Sequence, residues 1–125
     1  GHLPLIHSVR CLAQWDQWAV RYAPRTVPNA RGLQFDRSYL AVAAAADGLG
    51  IVLETTLLAG DQIRAGRLVM PFGRSGIAIV AHRLVYRRAD QGDPRITVFL
   101  DWLAQTMAAE QMASRAILEA LKSAS

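Results

Sequence analysis

The stretch from Gly32 to Thr55, G-L-Q-F-D-R-S-Y-L-A-V-A-A-A-A-D-G-L-G-I-V-L-E-T, limits the possible folds more than any other part of the chain. Leu33 and Phe35 alternate with polar neighbours, which predicts a short half-buried strand. Asp36 and Ser38 offer side-chain oxygens to the free N–H groups of a helix start. Tyr39 to Ala46 is almost wholly alanine and aliphatic, so nothing opposes a helix there. Asp47-Gly48 ends it, because glycine accepts the left-handed conformation at a helix C-terminus. Gly50 lets the chain turn into Ile51-Val52-Leu53, an apolar β-branched run suited to a strand covered on both faces. Strand, helix and strand in this order make an α/β crossover unit. Its helix is so poor in bulk that it can lie very close to a sheet.

The remaining elements follow from pattern. Leu3 to Ile6 reads as a short strand, with His7, Ser8, Val9 and Arg10 as its polar exit. Trp15, Trp18, Ala19 and Tyr22 fall at i, i+3, i+4 and i+7, one face of an amphipathic helix. Pro24 and Pro28 bracket a loop. Leu57, Leu58, Ile63 and Leu68 surround a helix ending at Ala65-Gly66. Leu68 to Phe72 reads as a strand stopped by Pro71, Gly73 to Gly76 as a loop, and Ile77 to Arg88 as a long strand. Asp93-Pro94 predicts a sharp helix start, with Asp93 as N-cap and proline in the first turn. The apolar stripe Ile96, Phe99, Leu100, Leu103 and Met107, with Trp102 beside it, breaks at Glu110-Gln111 and resumes at Ile117. That pattern fits one interrupted helix or two.

Composition excludes several classes. A chain of 125 residues with 52% hydrophobic content can bury a core and is not disordered. No apolar run approaches the roughly 18–20 residues of a membrane span, so no membrane role is expected. The one cysteine, Cys11, excludes an internal disulfide. The net charge of +4 comes mostly from arginines scattered over loops and element ends, and only Arg83, Arg87 and Arg88 are dense enough to form an anion site. No secretory leader is visible, which predicts a cytoplasmic protein. Gly1-His2 without a methionine reads as a cloning remnant, so the natural protein is expected to begin upstream.

Catalytic and metal chemistry finds little to stand on. His2, His7 and His82 lack zinc-site spacing, and no cofactor is implied. Nothing resembles a nucleophile motif, so no enzyme is expected. The glycines of D-G-L-G-I follow a helix and precede a strand, the reverse of a dinucleotide fingerprint. His7 reads as a strand-end histidine and Glu54 as a solvated loop acid, although either would suit a cleft.

Seven pieces in order carry a family resemblance. They are P-L-I-H at Pro4–His7, W-x-x-W at Trp15 and Trp18, and G-L-Q-F-D at Gly32–Asp36. A-A-A-D-G-L-G-I-V-L follows at Ala44–Leu53, then the run Ile63–Phe72, L-V-Y at Leu84–Tyr86 and F-L-D-W-L at Phe99–Leu103. Together they resemble the effector-binding domain of LysR-type transcriptional regulators, from about Leu3 to Met107. The resemblance implies an α/β fold like that of periplasmic binding proteins, with a small-molecule effector between two lobes. By it, residues 3–72 belong to the second lobe, and residues 73–125 return to the first and add a C-terminal helix. It also implies a homo-oligomer, most simply a dimer. The family's winged helix-turn-helix has no counterpart here, so DNA contact is expected only through an N-terminal domain outside this chain. A solute-binding protein of the periplasmic type would share the architecture but should carry a signal peptide.

In an open α/β sheet, ligands collect beyond the carboxyl ends of the strands. Two such ends are visible, His7–Arg10 and Asp36–Ser38. Helix-start N–H groups favour anions, and arginine adds a bidentate partner. The expected ligand is therefore a small anionic effector touching Ser8, Arg10, Trp15, Arg37 and Ser38.

Overall fold

The computed structural model describes residues 3–25, 32–73, 76–80 and 82–123. Its centre is a three-stranded parallel sheet in the order β2-β1-β3, where β1 is Leu5–Ser8, β2 is Leu33–Phe35 and β3 is Ile51–Val52. Ile6, His7 and Ser8 pair with Leu33, Gln34 and Phe35, and Leu5 and Ile6 pair with Ile51 and Val52 on the other side. Parallel neighbours need crossovers. Helix α1 (Trp15–Tyr22) joins β1 to β2, and α2 (Ser38–Ala46) carries the chain from β2 across β1 to β3.

That path explains the alanine run. Helix α2 touches all three strands, and Ala41, Ala44 and Ala45 close directly over Ile6, the one fully buried large side chain among the described residues. Phe35, Val52 and Leu68 pack around this cluster. Small side chains let the helix approach the sheet closely, so little room is left at the contact. Ala44→Leu or Ala45→Leu should cost about 1–3 kcal/mol through overpacking, while the exposed Ala43→Leu stays near neutral. Thermal melting compares the three; equal melting would refute the packing of α2 described here.

The helix ends behave largely as their sequence predicts. Asp47 caps α2 and Gly48 takes a φ of +80°. Helix α3 (Thr56–Arg64) stops at Ala65. At the start of α4 (Pro94–Ser123), Asp93 Oδ1 accepts from the Arg95 amide at 2.8 Å, as an N-cap should. The Arg95 guanidinium also donates to this carboxylate and holds Asp93 well below the usual carboxylate range. Helix α4 runs without a break through Glu110-Gln111, so the single-helix alternative is the observed one.

Several expectations are corrected. The first strand lies two residues later than its apolar content indicates, because pairing with β2 extends through His7 and Ser8. Strand β3 is an edge strand of two residues, half-buried rather than covered on both faces. Neither Asp36 nor Ser38 caps α2: Arg37 occupies the N-cap position and no side chain bonds there. Leu68–Phe72 is not a strand. The Arg67 and Leu68 amides bond back to the Gln62 carbonyl, Val69 is exposed, and the chain turns at Met70–Gly73. Among the described residues of 77–87 no strand forms either, and a single 3-10 turn covers Arg88–Asp90. A β-branched run becomes a strand only beside a backbone that takes its N–H and C=O groups, and no strand of this sheet is so placed. The Pro28 end of the first predicted loop and residues 74–75 of the second lie outside the described residues.

Candidate functional site

The carboxyl ends of β1 and β2 meet through two hydroxyls. Ser8 is 3% exposed, and its Oγ lies 3.1 Å from Ser38 Oγ at the first turn of α2. The predicted cap is thus replaced by a tertiary hydrogen bond between two strand exits. Gln14, just before α1, donates to the Ser8 and Cys11 carbonyls and tightens the turn after β1. Of the predicted residues, Ser8 and Ser38 are in direct contact. Arg10 and Arg37 follow the same strand ends with exposed side chains, Arg37 4.0 Å from the Asp36 carboxylate.

Trp15 stands between two roles. It is buried, and its indole N–H donates to the Ile6 carbonyl at 2.9 Å, which fixes α1 against the sheet. Its ring meets Trp18 edge-on at a centroid distance of 5.7 Å, and Trp18 meets Phe72 in a tilted contact at 4.8 Å. These rings also form part of a cavity wall. A tryptophan held this way offers a ligand its face and edge, not its N–H.

The cavity, about 670 Å³, lies between the carboxyl end of β3, α1, the Met70–Phe72 turn and the middle of α4. Its volume falls within the range of small-molecule sites, and its wall is mainly apolar with a few polar groups, as such sites usually are. Leu53, Glu54 and Thr55 form one side; Glu110 and Arg115 of α4 also reach it. Glu54 corrects the sequence reading, since it is half-buried rather than a solvated loop acid. Its Oε2 accepts from the Thr55 amide at 3.0 Å, but Oε1 is shut off from water and accepts no hydrogen bond among the described residues. A buried acceptor left this way costs about 1–3 kcal/mol. The only hint in the sequence was position: Glu54 follows directly on the carboxyl end of a strand.

Cys11 sits beside it. Burial pushes the Cys11 thiol above its ordinary value, the backbone at Ala13 pulls it back, and the neighbouring Glu54 carboxylate raises it further. The thiol donates to the Leu53 carbonyl at 3.5 Å and so ties the exit of β1 to that of β3. No group of His, Cys, Asp and Glu among the described residues could hold a metal ion. The predicted arginine cluster is partly engaged, because Arg87 binds Asp90 at 2.7 and 3.1 Å.

Of the predicted residues Trp15 lines this cavity, whereas Ser8, Arg10, Arg37 and Ser38 are not part of its wall. The model of the LysR substrate binding domain matches residues 1–108, and the chain belongs to that family. It is 43% identical over 103 residues to the HTH-type transcriptional regulator PerR of Escherichia coli K12, covering 81% of this chain and 34% of that protein. It is 33% identical over 110 residues to the HTH-type transcriptional regulator DsdC of the same organism, covering 83% and 35%. Against the glycine cleavage system transcriptional activator of Escherichia coli K12, identity is 29% over 97 residues, covering 78% and 32%. The chain thus spans about a third of the length of these relatives. No solved structure matches it significantly. Among the described residues no helix is long and apolar enough to cross a membrane.

Proposed function

We propose that these 125 residues are the ligand-sensing part of a cytoplasmic LysR-type transcriptional regulator and carry no catalytic activity. In this reading residues 3–72 belong to the second lobe of a periplasmic-binding-protein-like domain, and residues 73–125 return to the first. A small anionic effector binds between the lobes, against Ser8, Arg10, Trp15, Arg37 and Ser38. DNA contact belongs to a region outside these residues. The observation that carries the reading is the Ser8–Ser38 hydroxyl pair at 3.1 Å, at the carboxyl ends of adjacent parallel strands, with an arginine beside each hydroxyl in the chain. Hydroxyls and guanidinium groups both donate to carboxylate or phosphate oxygens.

The test belongs in the full regulator, with a reporter for the promoter it controls. Arg10→Ala and Ser8→Ala are each expected to lower induction at least tenfold, with promoter binding and melting temperature unchanged. Induction that survives both substitutions would show that the effector lies elsewhere.

The same reading includes self-association. Val80, Val85, Val98 and Trp102 are 72%, 87%, 69% and 57% exposed, on the segment after Gly76 and the first half of α4. Each such side chain gains about 1.5–3 kcal/mol when fully buried. A concentration-dependent dimer is expected in light scattering, weakened by Val85→Arg. A monomer at every concentration tested would count against this part of the reading.

A further inference from the structure

Met107, Glu110, Gln111, Ser114, Arg115 and Leu118 of α4 all line the cavity of about 670 Å³. Their spacing, i, i+3, i+4, i+7, i+8 and i+11, is one face of a helix, so about three turns of α4 lie along the cavity. The facing wall is carried by Trp15, Trp18, Leu53 and Phe72. The α4 side is apolar only at Met107 and Leu118 and polar over the turns between them. Polar side chains gain little by filling an apolar hollow, and the space between the two walls stays open. A helix docked as part of the core would close such a void, because protein interiors pack tightly. The hold on α4 is correspondingly weak. Trp15, Trp18 and Ala19 of α1 are buried, as are Ala41, Val42, Ala44 and Ala45 of α2 and Ala59 and Gly60 of α3. Among the described side chains of α4, a helix of 30 residues, none is buried. Its main neighbour is α3.

We propose that residues 107–118 of α4 are a lid on this cavity, which lifts while the sheet stays folded and so controls access to the space beneath. Elements with few buried apolar contacts open on their own, at the low end of a domain's range of stabilities. Met107 and Leu118 hold the lid down, and the polar turns between them leave the closed state only slightly favoured. All the wall residues of α4 except Met107 lie beyond residue 108, where the match to the family model ends. The lid does not rest on the effector placement given above, since Ser8 and Arg10 lie outside this wall.

Cys11 is the one cysteine of the chain and lines the cavity, so its alkylation by iodoacetamide at one fixed pH reads access to that space. In the 125-residue chain, Leu118→Asp should speed alkylation at least tenfold by removing an anchor. Ser114→Leu adds apolar bulk on the cavity side and should slow it at least tenfold by holding α4 down. Gln105→Leu, at an exposed position outside the wall, should leave the rate unchanged. In the parent the rate should be nearly flat in low urea, because lifting a lid exposes far less surface than unfolding does. A Ser114→Leu chain alkylated as fast as the parent overturns the proposal, as does a parent rate that climbs with urea as steeply as unfolding. The first result would mean that Cys11 is reached by a path α4 does not cover, the second that α4 leaves only with the whole fold. Ser114→Leu tightens the chain, so it decides the matter even where Leu118→Asp does not fold.

Discussion

Ile6→Ala is expected to remove about 2–5 kcal/mol of folding stability, the usual cost of truncating a buried isoleucine. Ile6 is wholly buried, pairs with strands on both sides, and carries Ala41, Ala44 and Ala45 on its side chain. Helix α2 cannot settle into the void, because its path is set by contacts with all three strands. Domains of this size are stable by roughly 5–15 kcal/mol, so the loss is a large share of the total. Urea midpoints measure it, and Ile6→Val supplies a graded comparison at about 0.5–1.5 kcal/mol. An Ile6→Ala chain that unfolds at the parent's midpoint would mean that β1 is not the strand on which the core is built.

Gly50→Ala should be nearly as damaging, for a different reason. An added Cβ would press into the Pro4 carbonyl oxygen and come within 3.1 Å of Ile6 Cγ1. The obstacle is backbone, so no side-chain rotation relieves it. That same carbonyl accepts the Ile51 amide at 2.9 Å, the bond that starts the β1–β3 pairing. Strain together with a weakened hydrogen bond amounts to about 2–5 kcal/mol. Gly48→Ala is the control, since its Cβ meets nothing within 4 Å and only the backbone conformation opposes it. Melting temperatures should rank parent, Gly48→Ala and Gly50→Ala in falling order; equal loss in the two variants would remove the steric explanation.

The crossover unit was legible because its signals are local and agree with one another. Alternation at Leu33–Phe35, the alanine helix, the Asp47-Gly48 stop and the Ile51-Val52 strand all appear in order. So do the buried face of α1 and the Asp93-Pro94 start of α4. The strand predicted over Ile77–Arg88 failed on the opposite ground. Its residues suit a strand, but a strand is completed by hydrogen bonds to a neighbour, and no strand of this sheet lies beside it. Leu68–Phe72 failed similarly, its amides at Arg67 and Leu68 being drawn back to Gln62.

By itself, the sequence determined where α4 begins, where α2 and α3 end, which face α1 buries, and which family the chain resembles. These depend on propensities, caps and spacings that act within a few residues. Only the tertiary structure decided that Ser38 bonds to Ser8 instead of capping α2, and that Glu54 is half-buried in a cavity wall instead of solvated. It also decided that the Trp15 indole N–H is taken by Ile6. Each of these pairs a side chain with a group brought near by the order β2-β1-β3 or by the return of α4. A hydroxyl or carboxylate bonds whichever partner the packed chain places within about 3 Å, and that partner lies many residues away along the chain.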